Sequence, residues 1–142
     1  METITLPATI DTLTVINKIL EKTLSGKLEH MLFKTELVVE ELLANICSYA
    51  YDGQNGGNAY FVCGEVNFDG KSCIMIQITD DGKAYDPFLN CKDPDLNAPL
   101  EERPIGGLGL HLVKEIATHY AYFRIDNKNQ TQIILDIDNN DM

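Results

Sequence analysis

Basic side chains are scarce in this chain of 142 residues: 11 Lys and Arg stand against 22 Asp and Glu, a formal net charge of −11 at pH 7. Proteins that grip nucleic acid regardless of sequence do so through many cationic contacts to phosphate, so no nucleic-acid partner is expected. No apolar run is long enough to span a bilayer, which excludes a membrane helix and a membrane partner. The opening METITLPATI has neither the basic segment nor the apolar core of a secretory signal, and a soluble, cytoplasmic protein is expected. The four cysteines, at 47, 63, 73 and 91, show no C-x-x-C spacing. In a reducing compartment they act as small hydrophobes, so neither disulfides nor zinc is expected. His30, His111 and His119 likewise lack a metal spacing and read as ordinary surface residues.

Hydrophobic residues make up 44% and charged residues 23%, the balance of one globular domain over the whole chain, 1–142. Residues 2–7 alternate polar and apolar and stop at Pro7, as a short edge strand does. Leu13, Ile16, Ile19, Leu20 and Leu24 recur at helical spacing, predicting a helix from Thr9 to Leu24 capped by Thr9 or Asp11 and followed by Gly26. A second, longer helix is expected from Leu28 to Ala50, with Leu28, Met31, Leu32, Val38, Leu42 and Ile46 inward. Residues 59–68 and 72–79 flank Asp69-Gly70, a pair that type I′ hairpin turns favour. Residues 81–106 hold four of the five prolines and no sustained period, predicting a long irregular loop of the kind that often carries function. A third helix over 107–119 and strands at 121–127 and 131–137 complete the order β-α-α-β-β-loop-α-β-β. That order implies an α+β two-layer sandwich, with a mixed, mostly antiparallel sheet and helices on one face.

Three clusters bear chemistry. Glu40-Glu41-Leu-Leu-Ala-Asn45 lies on the second helix, where residues four apart share a stripe, so Glu41 and Asn45 stand one above the other. A carboxylate can take a proton or orient a nucleophile and a carboxamide oxygen can ligate Mg²⁺, although a solvated helix face shows the same spacing. Asp80-Asp81-Gly82-Lys-Ala-Tyr-Asp86-Pro-Phe begins where a strand runs out. A carboxylate there can accept the amine of adenine, and a simple turn uses the same residues. Gly106-Gly107-Leu108-Gly109-Leu110 opens a helix directly, and free N–H groups at a helix start suit phosphates. Arg103, one of two arginines in the chain, stands just before it as a candidate γ-phosphate ligand or a plain loop residue.

In their order, ELVVEELLANICSYAY, DDGKAYDPF and GGLGLHLVKEI resemble the N box and two glycine boxes of the bacterial anti-sigma-factor serine/threonine kinases, within the GHKL (histidine-kinase-like) ATPase superfamily. The resemblance covers residues 5–138 and implies the Bergerat fold. It further implies that Asn45 ligates Mg²⁺, Glu41 is the catalytic base, Asp80 reads adenine and Gly82 lies under the base. Asp86, Arg103 and the run Gly106, Gly107, Leu108, Gly109 and Leu110 would contact ATP, residues 87–105 would form the ATP lid, and the Thr131 hydroxyl would support Asp80. Tyr49-Ala50-Tyr51 stands where the family often has His-Ala-Tyr, and Ala84 replaces a second glycine.

The function so implied is an ATP- and Mg²⁺-dependent kinase that phosphorylates Ser or Thr of a small anti-sigma-factor antagonist and also sequesters a sigma factor. The alternative is a nucleotide-gated protein that holds a sigma factor or another regulator without useful kinase turnover. The resemblance also implies a homodimer, for which the strand at 2–7 is a candidate contact because an unpaired edge invites pairing. Light scattering at micromolar concentration is expected to give twice the chain mass; a strict monomer with full activity removes the dimer.

Overall fold

The computed structural model of the protein describes residues 3–9, 11–51, 57–89 and 107–137, with only the backbone of residues 107 and 108. Five strands form one sheet: β1 (Ile4–Pro7), β2 (Asn58–Phe68), β3 (Lys71–Asp80), β4 (His119–Ile125) and β5 (Lys128–Asp136). Their order is β1-β2-β3-β5-β4, and every ladder is antiparallel, so the parallel pairing of a mixed sheet does not occur among the described residues. Asp69 and Gly70 join β2 to β3 with φ of 54° and 82°, as a type I′ turn requires. The second hairpin turns earlier than expected. Asp126 and Asn127 take φ of 53° and 63°, so β4 and β5 occupy 119–125 and 128–136 rather than 121–127 and 131–137. Asx residues tolerate the left-handed region because their short side chains bond locally, which makes this pair the turn.

The helices are α1 (Thr12–Thr23), α2 (Leu32–Asn45) and α3 (Gly107–Ile116). The expected start at Thr9 moves to Thr12, with Asp11 at the N-cap position but making no side-chain capping bond. Instead the Thr12 hydroxyl donates to the Pro7 carbonyl at 2.6 Å, binding the start of α1 to the end of β1. The single helix expected over 28–50 is three segments: a 3₁₀ turn at Gly26–Met31, α2, and a π turn at Ile46–Ala50. Gly26, at φ +71°, breaks from α1 and lets the chain re-enter in the tighter form. α3 ends at Ile116 rather than His119, because His119 is already paired with Ile134 in the sheet.

Alternation along the strands sorts the two faces of the sheet. Ile74, Ile76 and Ile78 of β3 lie opposite Leu135, Ile133 and Thr131 of β5, and all six are buried toward the helices. Ile16 and Leu20 of α1 and Val38, Leu42 and Leu43 of α2 complete that core. The other face is mixed: Gln130 Nε2 donates to Gln77 Oε1 at 3.2 Å, among half-buried Val62, Met75, Thr79 and Gln132, buried Cys73 and Ile134, and exposed Phe123.

Two contacts hold the end of β3 against the end of the second helix. Lys83 N–H donates to the Ala50 carbonyl at 3.1 Å. Gly82 sits so close that a Cβ there would lie 2.5 Å from that carbonyl oxygen and 2.7 Å from Ala50 Cβ. Gly82→Ala must therefore move backbone, and a loss of about 1–3 kcal/mol is expected from such overpacking. Phe33→Ser, at a side chain 79% exposed, should change stability by no more than about 0.5 kcal/mol. Denaturant melts of the two variants compare them directly.

Candidate functional site

Asp80 is the last residue of β3 and points to the helix side, in register with Ala59 of β2 and Asn129 of β5. It is 1% exposed. Its Oδ1 accepts from Gly82 N–H at 2.9 Å and from Asn129 Nδ2 at 2.8 Å, while Oδ2 has no donor among the described residues. Burial pushes the carboxyl above its usual range; the bonds from Asn129 and Gly82 and the Arg124 charge counter this, and Asp81 adds to it. Thr131 lines the same cavity as Asp80, and the side chain that bonds Asp80 directly is Asn129. Asn129 was not singled out from the sequence. The available signal was an asparagine inside a strand, where the residue is depleted and needs a partner.

The cavity beside Asp80 is walled by Leu42, Ile46 and Ala50 from the helix and Thr131 from the sheet, with Asn45 at its rim and Tyr85 and Pro87 across it. Its volume is about 10 Å³, room for roughly one water molecule. A space of that size is smaller than a purine. Tyr85, a half-buried part of the cavity wall, is stacked on exposed Tyr49 with ring centroids 4.8 Å apart and planes 14° from parallel. Tyr51, at the end of the N box, holds the neighbouring turn: its hydroxyl accepts from Asp81 N–H at 2.7 Å and donates to the Asn58 carbonyl at 2.8 Å.

Asn45, at the end of α2, donates through Nδ2 to the Glu41 carbonyl at 2.8 Å, which turns its oxygen away from that carbonyl. The Glu41 carboxylate, one helical turn back, lies directly on Gly109 in the first turn of α3. A Cβ at residue 109 would come within 1.9 Å of Glu41 Oε2, so only glycine permits this approach. Burial pushes the Glu41 carboxyl up, and the neighbouring Glu40 charge adds to the shift. Glu40 itself is exposed.

The remaining expected residues divide. Leu110 is 2% exposed and belongs to the core, so only its backbone could meet a ligand. Gly82 packs on Ala50. Asp86 turns inward on its own loop, where Oδ1 accepts from Phe88 N–H at 2.9 Å and Leu89 N–H at 3.2 Å. Arg103, Gly106 and residues 90–105 of the expected lid lie outside the described residues, as does Cys91, and Gly107 and Leu108 are described only in backbone. Among the described residues, no helix is long and apolar enough to cross a membrane.

The donor set fits the ligands of a nucleotide site. Asn45 and Glu41 offer the hard oxygen donors that Mg²⁺ prefers. Asp80 offers an acceptor-only oxygen to an amine. The glycines at 107 and 109 put no side chain on the first turn of α3, which suits close approach by an anion once the Glu41 carboxylate gives way.

Because burial raises the Asp80 pKa in the folded state, the folded protein binds its proton more tightly than the unfolded chain. The resulting stabilisation is complete below the ordinary carboxylate pKa and is lost as pH rises through the raised folded value. Asp80→Asn removes that ionisation and keeps an oxygen for Gly82 and Asn129, while placing an NH₂ toward the cavity. The variant is expected to melt at or above the wild-type temperature at pH 7 and to lose affinity for an amine-bearing base. A clearly lower melting temperature contradicts this account.

No curated protein matches the chain. Among solved structures, the histidine kinase domain of the blue-light activated histidine kinase from Erythrobacter litoralis EL346 aligns with a TM-score of 0.48 and 16% identity, covering 93% of this chain and 66% of that one. The family model described as the histidine kinase-like ATPase domain matches residues 6–136. That span takes in β2 and β3, all three helices and every site residue above, and the chain belongs to the histidine kinase-like ATPase domain family.

Proposed function

We propose that this ATP-binding domain is a protein serine/threonine kinase that phosphorylates a small anti-sigma-factor antagonist and also holds a sigma factor, working as a homodimer. The observation that carries the reading is the seating of the Glu41 carboxylate against the first turn of α3, one helical turn from Asn45 at the rim of the Asp80 cavity. Asn45 and Asp80 line one cavity and Glu41 stands one helical turn from Asn45, which supports reading the three as metal ligand, base-reading carboxylate and proton acceptor. The boxes at 36–51, 80–88 and 106–116 support the antagonist as substrate through their resemblance to the anti-sigma-factor kinases. The net charge of −11 supports a protein partner with basic groups over nucleic acid.

In this reading Asp80 holds the adenine amine, and the N–H groups at the start of α3 hold phosphate oxygens. Glu41 accepts the proton of the attacking hydroxyl. Its raised pKa makes it a stronger base than an exposed carboxylate. Mg²⁺, when held by Asn45, neutralises charge on the phosphates. Phosphoryl transfer asks little more of a protein than this alignment and charge balance.

Labelled ATP, Mg²⁺ and the antagonist encoded beside the protein test the assignment. Glu41→Gln should keep nucleotide affinity and slow transfer by about 10²–10⁴-fold, the usual worth of a general base. Asn45→Ala should lose Mg²⁺-dependent binding as well as transfer. Transfer by the wild type should rise with pH through the raised Glu41 pKa, since only the ionised form takes a proton. Glu41→Gln working at the wild-type rate removes the base assignment, and nucleotide binding without transfer by the wild type favours a nucleotide-gated regulator-binding protein.

A further inference from the structure

We propose that Asn129 is a positioning residue of the nucleotide site, one that locks the rotation of the Asp80 carboxylate so that a single oxygen meets the amine of the base. The proposal rests on the adenine-nucleotide reading above and concerns residues to which that reading gives no part. A carboxylate at a strand end has a broad, nearly two-fold terminal torsion and settles only where partners hold it. Here both partners converge on Oδ1, Gly82 N–H at 2.9 Å and Asn129 Nδ2 at 2.8 Å, leaving Oδ2 to the cavity.

Asn129 can do this because its own amide has one possible orientation. Its oxygen accepts from the Tyr122 hydroxyl, from an Arg124 guanidinium N–H at 3.1 Å and from Tyr85 N–H at 3.2 Å. Its nitrogen donates to Asp80 Oδ1 and to the Lys83 carbonyl, both at 2.8 Å. Three donors on one side and two acceptors on the other forbid a flip, which would set an oxygen against a carboxylate and an NH₂ against three donors. The side chain is 1% exposed, so no water can replace a lost partner cheaply. Arg124 adds a brace, donating to the Gly82 carbonyl at 2.8 Å from the nitrogen that also reaches Asn129. Serine or threonine at 129 would be too short to reach both Asp80 and Lys83, and aspartate would face Asp80 with a second negative charge.

The same amide joins the base-reading residue to the cavity wall, because Tyr85 N–H and the Lys83 carbonyl belong to the turn that follows β3. Releasing Asn129 therefore frees Asp80 to rotate and loosens the wall it faces. Recognition of an amine depends on that alignment, whereas contacts to ring and phosphates do not.

The test is calorimetric affinity for ATP and for purine riboside triphosphate, the same nucleotide without the amine. Wild type should prefer ATP by about tenfold or more, the worth of one charge-assisted hydrogen bond. Asn129→Ala should cut that preference to below about threefold, with the loss falling on ATP. Tyr122→Phe removes one donor from the Asn129 oxygen without changing shape, and should lower the preference by a smaller factor in the same direction. It decides the matter if Asn129→Ala does not fold. Gln130→Ala, on the opposite face of β5, should leave the ratio unchanged. A folded Asn129→Ala with the wild-type ratio, or a Tyr122→Phe that weakens both nucleotides equally, overturns the positioning role and leaves the nucleotide reading intact. A wild type that binds neither nucleotide overturns both.

Discussion

The register between β3 and β5 is the constraint on which the site depends. It sets Asp80 opposite Asn129, and the register of β4 on β5 then brings Arg124 opposite Asn129 and Tyr122 opposite Thr131. Side chains alternate faces along a strand, so a slip of one residue would send the whole row to the opposite face of the sheet. The slip is prevented by the hydrophobic pairs below, Ile76 with Ile133 and Ile74 with Leu135, which share the buried face with Asp80. The core therefore does more than stabilise the domain, because it indexes the polar network at its rim.

Against that sheet the helical layer meets the site through glycines. Gly82 lets the turn after β3 touch the π turn at Ala50, and Gly109 lets the start of α3 touch the Glu41 carboxylate. The two approaches differ in what blocks them. At Gly82 the obstacle is a backbone carbonyl, which cannot yield without moving a secondary-structure element. At Gly109 it is the tip of a flexible side chain, which can swing away when an anion takes its place. One junction is architecture and the other is adjustable.

Much of this was legible in the sequence because it is local. Glu41 and Asn45 announce themselves by a spacing of one helical turn, Asp80-Asp81-Gly82 by its place at a strand end, and Gly107-Leu-Gly109 by opening a helix. Asp69-Gly70 identified one hairpin by residue type alone. What was hidden depends on long-range pairing or on subtle backbone choice. Asn129, Tyr122 and Arg124 have meaning only once β3, β5 and β4 are in register, and the bonds of Asp86 to the N–H groups of Phe88 and Leu89 depend on the turn that follows β3. The 3₁₀ and π ends of the second helix share the hydrophobic period of an α-helix closely enough that periodicity cannot separate them.

The narrow cavity lined by Tyr85, whose ring stacks on Tyr49, makes capture of a base a matter of population. If nucleotide binds only molecules in which the wall has opened, the affinity observed is the intrinsic affinity multiplied by the open fraction. A protein partner that draws the two rings apart would then tighten nucleotide binding without touching the nucleotide, and nucleotide would tighten the partner by the same factor.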